Sequence, residues 1–150
     1  RLIYAYYITA HSVVKDDDGN VLEVHCTYDP ESRGGQTADG RRVRGTSHWV
    51  SAAEGGSIEV RLYDKLFLAE EPGKETGNFL DDLNPESLVV VENAKAEPEV
   101  LKAKVGDYLQ FIRNGYFCVD SKDSTPEKPI YNRTVTLRDT WARMKKKMGI

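Results

Sequence analysis

The sequence predicts an all-β fold, either a barrel or a sandwich, and two observations support this. Short runs rich in Val, Ile and Tyr recur along the chain, and several of them alternate apolar with polar residues. Turn-forming Gly, Asn, Asp and Pro separate these runs at spacings of about 8–12 residues, which is typical of small all-β domains. With 150 residues, 39% of them hydrophobic, the chain can bury a core.

The first part of the chain contains four predicted strands. Residues 2–14 and 21–29 are predicted to form a hairpin, because Asp18-Gly19 lies between two apolar runs. A polar, glycine-rich loop follows. "RVRGTSHWVSA" predicts a third strand over residues 42–52, in which Gly45 is a candidate bulge. "SIEVRLYDKLF" alternates strictly and predicts a fourth strand.

The second part combines short helical turns with strands. A short helix is expected around residues 78–83, and one or two helical turns at "EPEVLKA". Strands are predicted at "SLVVVEN" and "IYNRTVTL". "DYLQFIRNGYFCVD" predicts a hairpin that turns at Asn114-Gly115, since Asn-Gly is a strong hairpin signal. "RDTWARMKKKMGI" is expected to be a frayed or short helical tail.

Composition and motifs exclude several classes of function. No apolar run approaches the ~20 residues of a membrane span, and we expect no signal peptide because the sequence opens at Arg1 without a basic-then-apolar leader. The chain starts in strand-like sequence, which predicts a fragment of a longer protein. The histidines lie in separate strands without metal-ligand spacing, and no glycine-rich phosphate loop is present. Cys26 and Cys118 are predicted to be buried thiols.

What remains is binding chemistry. The net charge is −3, but residues 128–147 carry seven Lys or Arg and one acid, so a polyanion partner is compatible with a local patch. Arg and Gln can pair with the edges of unstacked RNA bases. Gln110 and Arg113 flank aromatic residues beside the predicted turn, although strict alternation places them on opposite faces. An RNA-binding surface and a merely solvated one both fit this composition.

Four aromatic residues are candidate stacking platforms for bases: Tyr116, Phe117, Trp49 and Trp141. A core position is the expectation for most of them, and for Trp49 in particular, because "GYFCV" and "HWVS" have the pattern of inward-facing strands. The basic stretch "GRRVRG" is a candidate for phosphate contact.

Five stretches in order along the chain resemble the C-terminal anticodon-binding region of bacterial glutaminyl-tRNA synthetases. They are "DGRRVRGTSHWVSA", "EVRLYDKLF", "NPESLVV", "GYFCVDS" and "EKPIYNRTVTLRDTWA". The resemblance implies a β-barrel plus part of a second barrel over residues 1–150, with one or two short helices. It implies recognition of a tRNA anticodon for protein biosynthesis, with the catalytic Rossmann domain of this class I ligase upstream.

The resemblance also implies roles for individual residues. Gln110 and Arg113 match the Gln and Arg that read the middle anticodon base, a uridine in glutamine tRNA. Arg138 and Thr140 of "LRDTW" match residues that contact the anticodon backbone or neighbouring bases. Arg1 matches one of two arginines of an "RLR" pattern that contacts the first anticodon base; Ile3 stands in place of the other.

The chain itself is expected to catalyse nothing and to hold no cofactor. The nucleotide signatures of the HIGH and KMSKS types are absent from it, so ATP and Mg²⁺ belong to the implied parent enzyme. The implied setting is a cytoplasmic monomer without a membrane, whose partners are the anticodon loop of glutamine tRNA and the upstream catalytic domain. Two alternatives remain open: the same region of an archaeal or eukaryotic-type glutamyl-tRNA synthetase, and a free-standing RNA-binding barrel.

Overall fold

The computed structural model describes residues 1–37, 39–41 and 43–137. Two compact units make up the chain, one spanning Arg1–Trp49 and the other beginning at Val50. Both units are built from strands and short 3₁₀ turns, so the predicted all-β class is confirmed.

The first unit is organised around an antiparallel hairpin of β1 (Tyr7–Lys15) and β2 (Val21–Asp29). Its turn is closed by Asp16, whose carboxylate accepts hydrogen bonds from the backbone and side-chain amides of Asn20. Nearly every residue of the two strands is exposed, and Tyr7 is the one buried strand residue. A two-stranded hairpin buries little apolar surface, so its own contribution to stability is small.

Residues 42–52 were predicted to form a strand, and this is wrong for the described part of that range. The backbone there forms a single bridge, in which Ser47 pairs with Leu2. Gly45 has a φ of 86°, a value unsuited to regular strand pairing. A 3₁₀ segment, Pro30–Gly35, lies between β2 and this stretch, and the buried Ser32 hydroxyl accepts the Tyr7 N–H over 2.7 Å.

The second unit is a five-stranded sheet of β3 (Gly56–Tyr63), β4 (Leu88–Ala96), β5 (Tyr108–Phe111), β6 (Gly115–Val119) and β7 (Ile130–Val135). The strands are arranged in the order β4-β3-β7-β6-β5. The β3–β7 pair is parallel and the other three pairs are antiparallel. Because β4 and β5 are edge strands, the described strands form an open sheet and not the closed barrel that was expected.

Alternation along the strands produces the core of this sheet. Ile58, Val60, Phe117, Val119 and Tyr131 form its buried cluster, together with Ala96 and Val100. The Phe111 and Phe117 rings stack at 4.4 Å between centroids. The Tyr131 hydroxyl donates a hydrogen bond to the Val100 carbonyl, which satisfies the one polar group of this buried ring.

Short 3₁₀ turns connect the strands where helical turns were expected. Phe79–Asp82 begins after Asn78, whose side-chain oxygen accepts the Leu80 N–H over 3.1 Å. Val100–Lys102 lies just after Pro98. The predicted tail, residues 138–150, lies outside the described residues.

Candidate nucleic-acid interface

The β5–β6 hairpin has two faces of different character. Register pairs Tyr108 with Cys118 and Gln110 with Tyr116, and directly opposed residues project to the same side of a sheet. The intervening residues, Leu109, Phe111, Phe117 and Val119, face the core. We call the other side the tyrosine face, which consists of Tyr108, Gln110, Tyr116 and Cys118.

The tyrosine face carries aromatic surface that the fold does not bury. Tyr116 is 44% exposed and Tyr108 74% exposed, whereas Phe117 is 2% exposed. The core assignment is therefore confirmed for Phe117 and wrong for Tyr116. The sequence "GYFCV" is apolar at every position, so alternation alone does not tell which of its two faces meets the core.

A bulge in β7 widens the apolar part of the tyrosine face. Tyr116 pairs with Val135 and Phe117 with Arg133, which leaves Thr134 as an extra residue in β7. The Thr134 hydroxyl donates to the Tyr116 carbonyl over 3.1 Å. The exposed Val135 therefore stands beside Tyr116 in the row that begins with Gln110.

Arg113 occupies the turn of the hairpin and not a strand. β5 ends at Phe111, β6 begins at Gly115, and the Asn114 N–H donates to the Phe111 carbonyl over 2.9 Å. The predicted two-residue turn at Asn114-Gly115 is thus wrong, since Gly115 belongs to the strand. Arg113 has a φ of 70°, the left-handed region that non-glycine residues adopt at a cost of about 1–2 kcal/mol.

Strand alternation does not determine where the Arg113 side chain lies, because Arg113 is in the turn. Strict alternation would place Arg113 on the core face, but the residue lies beyond the end of β5 and is exposed, as Gln110 is. A Gln amide offers one donor and one acceptor function, and a guanidinium offers a fork of donors. These groups, on one exposed hairpin with aromatic surface, have the chemistry needed to pair with the edge of an unstacked base.

Comparison with known proteins agrees with this chemistry. Residues 46–120, half of the chain, match the family described as tRNA synthetases class I (E and Q), anti-codon binding domain. The chain belongs to this family. The matched residues include both strands of the hairpin and its turn, so Gln110, Arg113 and Tyr116 all lie within the anticodon-binding domain.

Three relatives that match this chain are named glutamine–tRNA ligase. A glutamine–tRNA ligase of Stutzerimonas stutzeri is 52% identical over 145 residues, which is 95% of this chain and 26% of the relative. The ligase of Pseudomonas putida is 50% identical over 94% of this chain and 25% of the relative. That of Escherichia coli O7:K1 is 51% identical over 96% and 26%. The chain therefore spans about a quarter of the length of these curated relatives.

Arg1 lies in the first unit and its polar atoms are engaged with a loop. Its Nε donates to the Thr46 hydroxyl over 2.9 Å, and its Nη1 donates to the Gly35 carbonyl over 3.3 Å. The α-amino group donates to the Gly45 carbonyl over 3.0 Å. The structure thus brings Gln110 and Arg113 onto one hairpin and places Arg1 in the other unit, while Arg138 and Thr140 lie outside the described residues.

The neighbourhood of Arg1 also corrects the assignment of Trp49. The indole Nε1 donates to the Ile3 carbonyl over 3.0 Å, and the residue is 48% exposed. The expected core position is therefore wrong. The polar edge of the indole holds the chain at Ile3, and nearly half of the residue's surface remains exposed.

Of the basic stretch "GRRVRG", Arg41 forms ion pairs within the first unit. Its guanidinium pairs with Asp29 and with Asp39, and it lies over the Tyr7 ring at 5.9 Å from the centroid. These contacts give Arg41 a structural role. Arg42 lies outside the described residues, and Arg44 is exposed.

A cluster of charges fixes the loop that precedes β7. The Arg61 guanidinium lies 2.6 Å from a carboxylate oxygen of Asp123 and 2.8 Å from one of Glu59, and Lys128 pairs with Glu59 from the other side at 2.7 Å. Hydrogen bonds from Lys128 and Arg61 hold the pKa of Glu59 below its ordinary value despite burial of the residue. Every charge in this cluster faces an opposite charge, so its role is structural.

Two histidines of the β1–β2 hairpin contact polar side chains of the same hairpin. His11 lies 2.6 Å from the Thr27 hydroxyl and His25 lies 3.1 Å from Glu23. Over the described ranges, no three His, Cys, Asp or Glu side chains gather to hold a metal.

Cys26 is exposed and Cys118 half-buried, so the prediction of two buried thiols is wrong, although both are free cysteines. No described helix is long and apolar enough to span a membrane.

Proposed function

We propose that this chain recognises the anticodon of glutamine tRNA, with Gln110 and Arg113 reading the middle base. One observation carries the proposal: the hairpin exposes Gln110 beside aromatic surface and lifts Arg113 out of the strand at its turn. Membership of an anticodon-binding family and the name shared by the relatives support it. Arg1, Arg138 and Thr140 are proposed to contact neighbouring nucleotides.

Discrimination would follow from hydrogen bonds that the wrong base fails to make. A uridine edge presents two acceptors and one donor, which the Gln110 amide and the Arg113 guanidinium can satisfy together. A base with a different edge leaves one of these side-chain groups unpaired. Such a loss costs about 1–3 kcal/mol, equivalent to a 5- to 150-fold change in affinity.

The chemical step would belong to the rest of a longer polypeptide. In this proposal the parent is a glutamine–tRNA ligase, a cytoplasmic monomer that uses ATP and Mg²⁺ to attach glutamine to its tRNA. The upstream catalytic domain would be the partner within the same polypeptide. The contribution of the residues described above is to select the tRNA and position its anticodon.

A second candidate arises from the family itself, whose description covers both E and Q synthetases. The same region of a glutamyl-tRNA synthetase of the archaeal or eukaryotic type would use a related surface. The name shared by the three relatives described above favours the glutamine enzyme.

The test is binding of the 150-residue chain to the anticodon stem-loop of glutamine tRNA, and to the same stem-loop with its middle uridine replaced. Fluorescence anisotropy at low and near-physiological salt gives both affinities. We expect tighter binding of the uridine form. In Gln110→Ala and in Arg113→Ala we expect the ratio of the two affinities to fall by about 10-fold.

Arg44→Ala is the matched control, since it removes an exposed arginine of the other unit. We expect it to weaken the binding of both stem-loops equally. It should reduce the slope of log affinity against log salt concentration by at most about one, as removal of a phosphate contact does. Equal affinity of the unsubstituted chain for both stem-loops would contradict the proposed function.

A further inference from the structure

The tyrosine face contains more aromatic surface than the proposed reading of a base edge uses. A tyrosine ring is stable in a core, yet Tyr116 is 44% exposed in the second residue pair from the turn, whereas the next residue, Phe117, is 2% exposed. The Tyr116 backbone is fixed on both sides, by β5 and by the bulged β7. The ring is therefore presented from a rigid part of the sheet.

Tyr116 is also the cross-strand partner of Gln110. The Cβ atoms of such a pair lie about 5 Å apart, so the ring and the amide rise from the same face within one side-chain length of each other. A base that lies on the ring would present its edge toward the amide. Val135, which is exposed and paired with Tyr116, extends the apolar surface on the side of Tyr116 away from Gln110.

We infer that Tyr116 is the stacking platform for the unpaired anticodon base whose edge Gln110 reads. The inference rests on the proposed function and adds a residue to its site. Sheets that bind single-stranded RNA commonly stack bases on exposed aromatic side chains, because every base has a π-face. Tyr116 supplies affinity that does not depend on base identity, while Gln110 and Arg113 supply the preference.

The separate roles of Tyr116 and Gln110 predict that their substitutions change RNA binding in different ways. Removing the ring in Tyr116→Ala weakens binding by about 10-fold for the uridine stem-loop and for its base-changed form alike. The ratio of the two affinities and the salt slope both stay unchanged, since neither a base-edge hydrogen bond nor a charge is lost. Gln110→Ala changes the ratio instead.

Conservative variants separate stacking from other roles of the side chain. Tyr116→Phe keeps the ring and is expected to bind within about 2-fold of the unsubstituted chain. Tyr116→Leu keeps apolar volume without a π-face and is expected to resemble Tyr116→Ala. Thermal unfolding of each variant, compared with the unsubstituted chain, shows whether the sheet is intact.

Tyr108→Ala is the matched control. Tyr108 is the same residue type on the same face of the same hairpin and is more exposed, but it is opposed by Cys118 and not by Gln110. We expect a loss of at most about 2-fold. Equal losses in Tyr108→Ala and Tyr116→Ala would assign the effect to exposed aromatic surface in general and overturn the inference.

The outcomes distinguish failure of the stacking role from failure of the proposed anticodon recognition. If the chain prefers the uridine stem-loop, Gln110→Ala abolishes the preference and Tyr116→Ala binds normally, the stacking role is wrong and the proposed function stands. If the unsubstituted chain shows no preference, the proposed function is wrong and the inference falls with it. A uniform loss in Tyr116→Ala and Tyr116→Leu, with Tyr116→Phe unaffected, supports both.

Discussion

Arg113 shows how a single residue can combine structural cost with a proposed role. Its φ of 70° lies in a region where the Cβ of an L-residue is crowded, and glycine or asparagine is the usual choice at such a position. A guanidinium in this position is exposed at the tip of a hairpin, beyond the strand in which alternation would have turned it inward. Backbone strain of this kind commonly accompanies function.

Two substitutions at Arg113 separate the strain from the side chain. Arg113→Ala and Arg113→Gly both remove the guanidinium with its contacts, but glycine also relieves the left-handed φ. We expect Arg113→Gly to be more stable than Arg113→Ala by about 1 kcal/mol in urea unfolding, and both to lose base preference equally. Identical stabilities would show that the backbone at this turn is not strained in solution.

At the scale of elements, the β6–β7 pair determines where the tyrosine face lies. Gly115 begins β6 with a φ of 150°, and a Cβ built there would lie 2.6 Å from the Val135 carbonyl oxygen. Close approach of the two backbones at this point keeps Tyr116 and Val135 in one row. The extra residue Thr134 then shifts the register by one, so that Phe117, which faces the core, pairs with Arg133.

Gly115→Ala is therefore expected to destabilise the second unit by about 2 kcal/mol, through both the positive φ and the collision with the β7 backbone. Gly106→Ala is its control, because Gly106 has a φ of 94° but open space where a Cβ would lie. We expect it to cost about 1 kcal/mol. Equal unfolding free energies for the two variants would contradict the close approach.

Elements with β-branched runs could be predicted from the sequence, and elements defined by long-range contacts could not. The runs at 21–29 and 130–137 predicted β2 and β7, since Val, Ile and Thr fit the pleated, half-buried surface of a strand. Residues 42–52 also contain β-branched and aromatic residues, but they lack a neighbouring strand to pair with in the described structure beyond the bridge at Ser47. Which side of "GYFCV" is exposed depends on how this strand pairs with β5 and β7. That pairing is a long-range feature that the pattern of residues does not reveal.

The candidate site was predictable in part, for a similar reason. Gln110 and Arg113 were identified through family resemblance, while alternation alone separated them onto opposite faces. The turn that overrides alternation depends on a left-handed arginine, a conformation that sequence patterns assign to glycine or asparagine. Tyr116 was interpreted as core because an apolar residue between Gly and Phe carries no signal of exposure.

For the whole molecule, the net charge of −3 hides an uneven distribution of charge along the sequence. Residues 64–99 contain ten acids and three lysines, whereas residues 128–147 contain seven Lys or Arg and one acid. Within the sheet, acidic groups are neutralised by Arg61 and Lys128. The same ion pairs make the stability of the sheet depend on pH.

Asp120 is the group whose titration should be measurable. Its carboxylate accepts the backbone N–H of Asp123 over 2.7 Å, the Asn132 amide over 2.6 Å and the Lys122 N–H over 2.9 Å. The backbone hydrogen bond from Asp123, then that from Asn132, lower the pKa of Asp120 to about 2, against an ordinary value of 3.8. A lowered pKa means that the folded state favours the charged carboxylate.

Stability from Asp120 is therefore fully present above about pH 4 and lost as the pH falls from about 4 to 2. The difference in pKa corresponds to about 2 kcal/mol. Asp120→Asn should be less stable than the unsubstituted chain by about that amount at pH 7, with the gap closing toward pH 2. Urea unfolding of both chains across this range measures the gap, and because other carboxylates titrate in both, their difference isolates Asp120. A gap that is constant with pH would show that the Asp120 carboxylate gains nothing from its hydrogen-bond donors on folding.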